Sequence, residues 1–183
     1  FVPKHLGGLE ASPLVSARIF ERLAQGNAAC GWVAFIAATS GSTLGNIPED
    51  TARAIFSHPN TMVAGVFAPS GKATVNAGEV TVDGRWQWGS GTQNADWVLG
   101  GSLVDNGGDK PSQHMILMPA QQVEFLDTWH VSGLQGTGST DYEVKNLTLP
   151  DSHIVGYDGN RPPRTSLYQF PQFTPVSYTH LRC

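Results

Sequence analysis

The residues best suited to chemistry in this chain lie in one stretch, residues 84–97. A strand predicted over residues 85–88 leads into Gly89-Ser90-Gly91, and another strand begins soon afterwards. Glycine lets a backbone approach a ligand closely, Trp88 offers a large flat ring, and Ser90 offers a hydroxyl. Such groups suit a planar ring system rich in heteroatoms, such as a flavin. The alternative is a tryptophan cluster in the core of an ordinary β-barrel, because most aromatic clusters are core.

Two further segments could contribute to a ligand site. Residues 67–71 end the first predicted strand in small residues and a turn, which suits the rim of such a site. Residues 127–141 combine Trp129 with hydroxyls, glycine amides and Asp141. Ordinary turn chemistry is the alternative for both segments.

Other site patterns fail in their spacing or context. Residues 65–72 place five residues between the two glycines, whereas a phosphate-binding P-loop requires four and a Ser or Thr after its Lys. Residues 133–138 contain three glycines but do not open a helix after a strand, as a dinucleotide-binding motif must. The histidines are scattered without the spacing of metal ligands, so no metal site is predicted.

The composition is typical of a globular chain without a surface for polyanions. Of the 183 residues, 40% are apolar and 14% charged, and the net charge is −4 without a cluster of Lys or Arg. No binding to nucleic acid or to a membrane is therefore expected. The two cysteines, Cys30 and Cys183, form no spacing motif, and we find no signal peptide or apolar run of membrane-spanning length. We expect a cytoplasmic protein, and Phe1 suggests that the chain begins inside a longer one.

The hydrophobic pattern changes from helical to strand-like near residue 61. Helices are predicted over residues 12–26, 28–39 and 48–58, and the second is apolar on nearly every face, so we expect it to be buried between neighbours. Eight short strands follow, with turns at residues 76–78 and 83–84. Such a series without intervening helices favours an antiparallel β-barrel or sandwich, and the predicted fold class is α+β. The predicted strands are residues 61–67, 73–75, 80–82, 85–88, 96–104, 114–118, 123–129 and 142–149.

This pattern predicts four segments of the chain. Residues 1–60 form part of an N-terminal helical domain, and residues 61–150 form a central β domain. Residues 151–174, rich in Gly and Pro, form a linker toward a further domain. Residues 175–183 look like translated adapter sequence and are treated as a non-native tail.

Five segments, taken in order, resemble the acyl-CoA dehydrogenase superfamily and, most closely, its flavin-dependent monooxygenase branch. Trp88, Ser90 and Gly91, followed by Ala95 and Trp97, hold the spacing of the flavin-facing motif of the dehydrogenases. The dehydrogenase signature Thr-Glu-Pro is replaced by residues 68–70, Ala-Pro-Ser, which favours the monooxygenase branch. The segments are residues 3–9, 30–33, 67–71, 84–97 and 127–141.

The resemblance implies an N-terminal helical domain and a central β domain, followed by a C-terminal helical bundle that this chain lacks. It implies a reduced flavin, FMN or FAD, and a separate flavin reductase as partner. It further implies an aromatic or polycyclic substrate that is hydroxylated with O2, and a homotetramer. The residues implied to bind the cofactor are Phe67, Ala68, Trp88, Gly89 and Ser90.

On the substrate side, Trp32, Phe35 and Ser40 are predicted from the buried second helix. Ser40 stands where members of the branch often carry a His, so the resemblance leaves the catalytic group unidentified. Packing of the helix against the barrel is the alternative for all three residues.

Two other functions stay open at this level. An acyl-CoA dehydrogenase would take hydride from an acyl thioester onto FAD, and acyl-CoA would then reduce its bound flavin without O2. A non-catalytic β-barrel binding module would use the tryptophans only as core and would bind no flavin. On either enzyme hypothesis we expect this chain alone to be inactive, since the C-terminal bundle completes the site.

Overall fold

The computed structural model describes residues 1–157 and 166–169. In these residues the helices α1 (Pro13–Gly26), α2 (Ala28–Gly41) and α3 (Glu49–Ile55) precede a seven-stranded sheet, and a short helix, α4 (Ser166–Gln169), follows it. The predicted α+β class is confirmed. The strands are β1 (Val63–Asn76), β2 (Glu79–Gly89), β3 (Trp97–Asp105), β4 (Ser112–Pro119), β5 (Glu124–Leu126), β6 (Thr140–Pro150) and β7 (Ile154–Val155).

Local capping explains where the first two helices begin and end. Ser12 Oγ accepts a hydrogen bond from Val15 N at 3.4 Å, and Pro13 occupies the first turn of α1. Asn27 serves both helices: its N–H donates to Leu23 O at 2.9 Å, and its Oδ1 accepts from Cys30 N at 3.1 Å. These contacts involve near neighbours in the chain, which is why the sequence predicted both helices closely.

Helix α2 is less buried than the sequence predicted. It packs against α1 and β1, and Gly31 allows a close approach to α1 because a Cβ there would lie 2.6 Å from the Ala24 Cβ. Only Gly31, Ser40 and Gly41 of α2 are buried, however, and Trp32 is 38% exposed. The prediction of full burial is corrected, because the described residues cover only part of this apolar helix.

The prediction that no apolar run reaches membrane-spanning length is also corrected. Residues Ala28–Asn46 run as 19 helical residues with a mean hydropathy of 1.2, which meets the criteria of length and composition for a membrane span. A core helix of a globular protein can meet the same criteria. Here α2 packs against α1 and β1, and 33% of the apolar window is buried.

The sheet is mixed, with the strand order β5-β6-β2-β1-β3-β4-β7. Strands β1 and β3 are parallel, so the prediction of a purely antiparallel sheet is wrong for this pair. The reason lies in the segment between β2 and β3. This segment crosses the beginning of β1, where Asp96 N donates to Met62 O at 2.9 Å. Strand β3 therefore lies on the side of β1 opposite to β2 and runs in the same direction as β1.

Two pairs of predicted short strands are single strands with bulges. The chain turns at residues 76–78, where Ala77 and Gly78 have φ of 51° and 85°, as predicted. The predicted turn at residues 83–84 is instead a register shift within β2. Likewise β1 continues through a shift between Val66 and Gly71. The predicted strand 123–129 is shorter, Glu124–Leu126.

Beyond β6 the chain still contributes to the sheet. Ile154 and Val155 pair with β4 at its edge, and the Tyr168 hydroxyl donates to Phe1 O at 2.6 Å. The segment boundaries predicted at residues 60, 150 and 174 stay predictions. The predicted tail, residues 175–183, lies outside the described residues.

The partly buried His153 should make the stability of the folded protein depend on pH. Burial lowers its pKa, and the bond between Nδ1 and Leu117 O at 3.0 Å only partly opposes this. Because His153 binds a proton more tightly in the unfolded chain, protonation of this side chain favours unfolding. The contribution of neutral His153 to the free energy of unfolding is therefore present above the ordinary histidine pKa of about 6.5 and is lost as pH falls below it. Denaturant titrations should therefore show a smaller loss of stability between pH 7.5 and 5.5 in His153→Gln than in the native protein. An equal loss in both proteins would contradict this role.

Candidate flavin site

The end of β2 presents one tryptophan to the core and the next to the surface. Trp86 is fully buried, whereas Trp88 is 69% exposed. Between Trp86 and Gly89 the pairing of β2 with β6 shifts register, and Trp88 adopts φ of 63°. A bulky residue rarely takes this left-handed conformation, and such outliers are concentrated at functional sites. The local backbone therefore turns the Trp88 ring out of the core at the rim of the sheet.

Asp141 on β6 supports this conformation. Its Oδ1 accepts a hydrogen bond from Trp88 N at 3.4 Å, and its Oδ2 accepts from Arg85 Nη2 at 2.8 Å. The Asp141 side chain is nearly buried, while Arg85 is half exposed. The carboxylate thus connects the bulge in β2 to the neighbouring strand.

The glycines on either side of Ser90 fix the path of the chain. A Cβ at Gly89 would lie 2.8 Å from the Tyr142 ring, so the backbone is pressed against the core there. Gly91 has φ of 74°, and its N–H donates to Thr137 O at 2.9 Å. The predicted small-residue segment is therefore a tight connection between the sheet and residues 135–139.

Ser90 is 7% exposed and makes two side-chain contacts. Its Oγ accepts a hydrogen bond from Trp32 Nε1 at 2.9 Å and lies 2.6 Å from Ser139 Oγ. Ser139 Oγ lies in turn 2.6 Å from Thr137 Oγ1. The structure thereby brings a residue predicted for the substrate side, Trp32, to one predicted for the flavin side.

The remaining residues predicted for the substrate side occupy different surroundings. The Phe35 ring lies 5.6 Å from the Trp32 ring and 5.6 Å from the Phe20 ring of α1. Ser40, five residues after Phe35 on α2, is fully buried, and its Oγ has no hydrogen-bond partner among the described residues. Trp32 and Phe35 form one aromatic group near the rim, and the structure does not join Ser40 to it.

Phe67 and Ala68 lie in the bulge of β1. Phe67 is partly buried and Ala68 is exposed. A Cβ at Gly101 would lie 2.3 Å from Phe67 O and 2.5 Å from Ala68 O, so the bulge rests on β3 at this glycine. The pairing of β1 with β2 ends at Lys72↔Asp83, so no strand ladder joins Phe67 or Ala68 to Trp88.

The residues at this rim fit a flat ring with polar edges. Trp88 offers an open aromatic surface, and Ser90 is nearly buried beside it in the chain. Trp129 Nε1 is a buried donor without a partner among the described residues. Trp129 directly follows Thr128, whose Oγ1 accepts from Asp141 N at 2.8 Å. An unpaired buried donor calls for an acceptor, and a flavin carries several.

A shallow cavity of about 400 Å³ lies elsewhere, between the start of α2 and the turn formed by residues 135–137. It is lined by Cys30 and Gln135, among others, and by none of the residues predicted to bind flavin. The predicted flavin residues form an open rim instead. In the described part of the chain no group of three His, Cys, Asp or Glu residues could hold a metal ion.

Curated relatives and solved structures place the chain among known proteins. It is 30% identical over 156 residues to the flavin-dependent monooxygenase oxygenase subunit HsaA of Mycobacterium tuberculosis, covering 85% of this chain and 40% of that protein. The crystal structure of HsaA from M. tuberculosis superposes with a TM-score of 0.79, covering 84% of this chain and 43% of the other. This chain is a homologue of flavin-dependent monooxygenase oxygenase components. The predicted resemblance to that branch is confirmed.

Two other homologues have related names. Indole-3-acetate monooxygenase of Pseudomonas putida is 33% identical over 150 residues, covering 81% of this chain and 38% of the relative. The oxygenase component of FADH2-dependent resorcinol hydroxylase of a Rhizobium species is 30% identical over 159 residues, covering 85% and 38%. The chain thus spans about two fifths of the length of these relatives. No family model matches it.

The contacts of Ser139, Thr137 and Asp141 were not predicted from the sequence. Residues 127–141 offered hydroxyls and a carboxylate, but no role for them followed from the residue types alone. Ser139 lies 49 positions from Ser90, and Asp141 lies 53 from Trp88. No short-range pattern signals such contacts.

Proposed function

We propose that the full-length protein is the oxygenase component of a two-component monooxygenase, which uses reduced flavin and O2 to hydroxylate an aromatic substrate. The single observation that carries this proposal is the outward-turned Trp88 beside Ser90, at positions matching the flavin-facing motif. Homology to oxygenase components supports it. A separate flavin reductase, a homo-oligomer and a cytoplasmic location belong to the same proposal.

Residues of this chain would bind the flavin ring and exclude water from it. Trp88 would contact the ring, and the Ser90 side chain and the backbone near Gly89 would meet its polar edge. Phe67 and Ala68 in the β1 bulge would contribute from the neighbouring strand. When bound, reduced flavin supplies the electrons that activate O2. Trp32 and Phe35 would form an apolar wall that excludes water, which matters because water promotes unproductive oxidation of the flavin.

A first experiment tests binding and reaction class. Full-length protein is titrated anaerobically with reduced FMN and, separately, with reduced FAD, and hydroxylated product is then measured after adding O2 and an aromatic compound such as indole-3-acetate or resorcinol. Binding of one reduced flavin and O2-dependent hydroxylation are expected. Reduction of bound oxidised flavin by acyl-CoA without O2 would point to a dehydrogenase instead.

Replacing Ser90 with alanine should weaken the affinity for reduced flavin about fivefold, because one hydrogen bond of roughly 1 kcal/mol to the ring is lost. The measurement is the dissociation constant of reduced flavin in the full-length variant. Ser57→Ala, an exposed serine after α3, is the matched control and should bind as the native protein does. Native affinity in Ser90→Ala would remove Ser90 from the site.

A further inference from the structure

Three hydroxyl groups form a continuous hydrogen-bonded chain behind the rim. The chain starts at Trp32 Nε1, which lies 2.9 Å from Ser90 Oγ. It passes through Ser139 Oγ and Thr137 Oγ1 in steps of 2.6 Å, and it ends at Leu134 O, 2.9 Å from Thr137 Oγ1. We call this series the hydroxyl chain. It connects α2 to the segment that precedes β6.

The two ends determine the direction of every bond in the hydroxyl chain. An indole N–H only donates, and a main-chain carbonyl only accepts. Each of the three hydroxyls has one proton, so all four contacts are satisfied in a single arrangement, in which every group donates toward Leu134. Ser90, Thr137 and Ser139 are buried, and leaving a buried polar group unpaired is unfavourable. The arrangement that pairs every group is therefore the stable one.

The direction determines what Ser90 can offer to a ligand. Its proton points to Ser139 Oγ, and one of its two acceptor positions receives Trp32 Nε1. One acceptor position is left, and no donor. Toward a ligand, Ser90 is therefore an acceptor only, although an isolated serine could either donate or accept.

We propose that Ser139 and Thr137 are positioning residues that fix Ser90 as an acceptor, so that it pairs with a ring N–H that reduced flavin carries and oxidised flavin lacks. Two-electron reduction of a flavin protonates a ring nitrogen that is a bare acceptor in the oxidised ring. Two facing acceptors repel, whereas an N–H facing an acceptor forms a hydrogen bond. The inference rests on the proposed function, since it needs flavin at Ser90.

The consequence is a preference between oxidation states. One hydrogen bond of about 1 kcal/mol corresponds to roughly fivefold tighter binding of the reduced ring. Because binding and reduction are thermodynamically linked, the same factor raises the reduction potential of the bound flavin. A fivefold factor corresponds to about 20 mV for a two-electron couple, since tenfold is 29.6 mV.

The test measures two dissociation constants, for oxidised and for reduced flavin, in full-length variants. Ser139→Ala removes the acceptor of the Ser90 proton, which is then free to donate to the oxidised ring. Thr137→Val removes the acceptor of the Ser139 proton, so Ser139 can turn its proton toward Ser90 and release that of Ser90. In both variants the ratio of oxidised to reduced dissociation constants should fall about fivefold, and the potential of the bound flavin should fall by about 20 mV.

Thr137→Ser is the matched control, because it retains the hydroxyl and should retain the native ratio and potential. Thr137→Val has nearly the shape of threonine and keeps the test valid if Ser139→Ala does not fold. Unchanged ratios in a folded Ser139→Ala or Thr137→Val protein that binds flavin would overturn the inference and leave the proposed function standing. Failure of the native full-length protein to bind either form of flavin would overturn the proposed function itself.

Discussion

Replacing Trp86 with alanine should lower the free energy of unfolding by about 3–5 kcal/mol, the usual range for a buried Trp truncated in a core. The side chain is fully buried, and its ring stacks on Tyr142 with centroids 5.2 Å apart. Nε1 donates to Gly101 O at 2.7 Å. Truncation leaves a cavity at the centre of the sheet and a carbonyl without its donor.

Glycines in β1, β2 and β3 allow the backbone to pack directly against the Trp86 ring. A Cβ on any of three glycines would come within 2.7 Å of the Trp86 ring, so these strands approach it without side chains of their own. The surroundings therefore have little side-chain volume with which to fill a cavity. The three residues are Gly71, Gly84 and Gly100.

Denaturant unfolding of the native protein and of variants at two positions measures this effect. Trp86→Phe retains an aromatic ring and loses the bond to Gly101 O, so its loss of stability should be smaller than that of Trp86→Ala. Gln87→Ala, at the exposed neighbour, should change stability by less than about 0.5 kcal/mol. Equal stability of Trp86→Ala and the native protein would contradict the central place of this ring.

Replacing Trp88 with glycine should reduce flavin affinity at least about tenfold without destabilising the protein. Stacking of an aromatic side chain on a heterocyclic base contributes about 1–3 kcal/mol, and we expect a comparable contribution on a flavin. The ring is 69% exposed, so its removal loses little burial. At φ of 63° glycine removes a strain of about 1–2 kcal/mol, partly offset by the greater freedom of the unfolded chain.

The comparison of affinity and stability separates a binding role from a structural one. We expect the free energy of unfolding of Trp88→Gly to be unchanged or up to about 1 kcal/mol higher, while reduced flavin binds more weakly in an anaerobic titration. Trp88→Phe keeps a ring and the strained backbone, and it should lose less affinity. A Trp88→Gly protein that is less stable yet binds flavin normally would make Trp88 a structural residue.

Local chemistry made much of the fold predictable from the sequence. Ser12, Pro13 and Asn27 act on residues within four positions, so the limits of α1 and the start of α2 follow from residue types alone. The turn at Ala77-Gly78 follows from the same short range. Residues 83–84 were mistaken for a turn because a glycine beside an aspartate favours a turn and a bulge alike.

The sequence by itself determined the order of helices and strands, the positions of Trp88 and of Ser90 between two glycines, and the family resemblance that homologues confirm. Only the tertiary structure decided that β3 runs parallel to β1, that Trp88 turns outward, and that Ser90 Oγ lies beside Trp32 and Ser139. The physical reason is range. Caps and turns act between near neighbours, whereas the hydrogen bonds of the Ser90 side chain are made with partners 58 and 49 positions away, which only folding brings together.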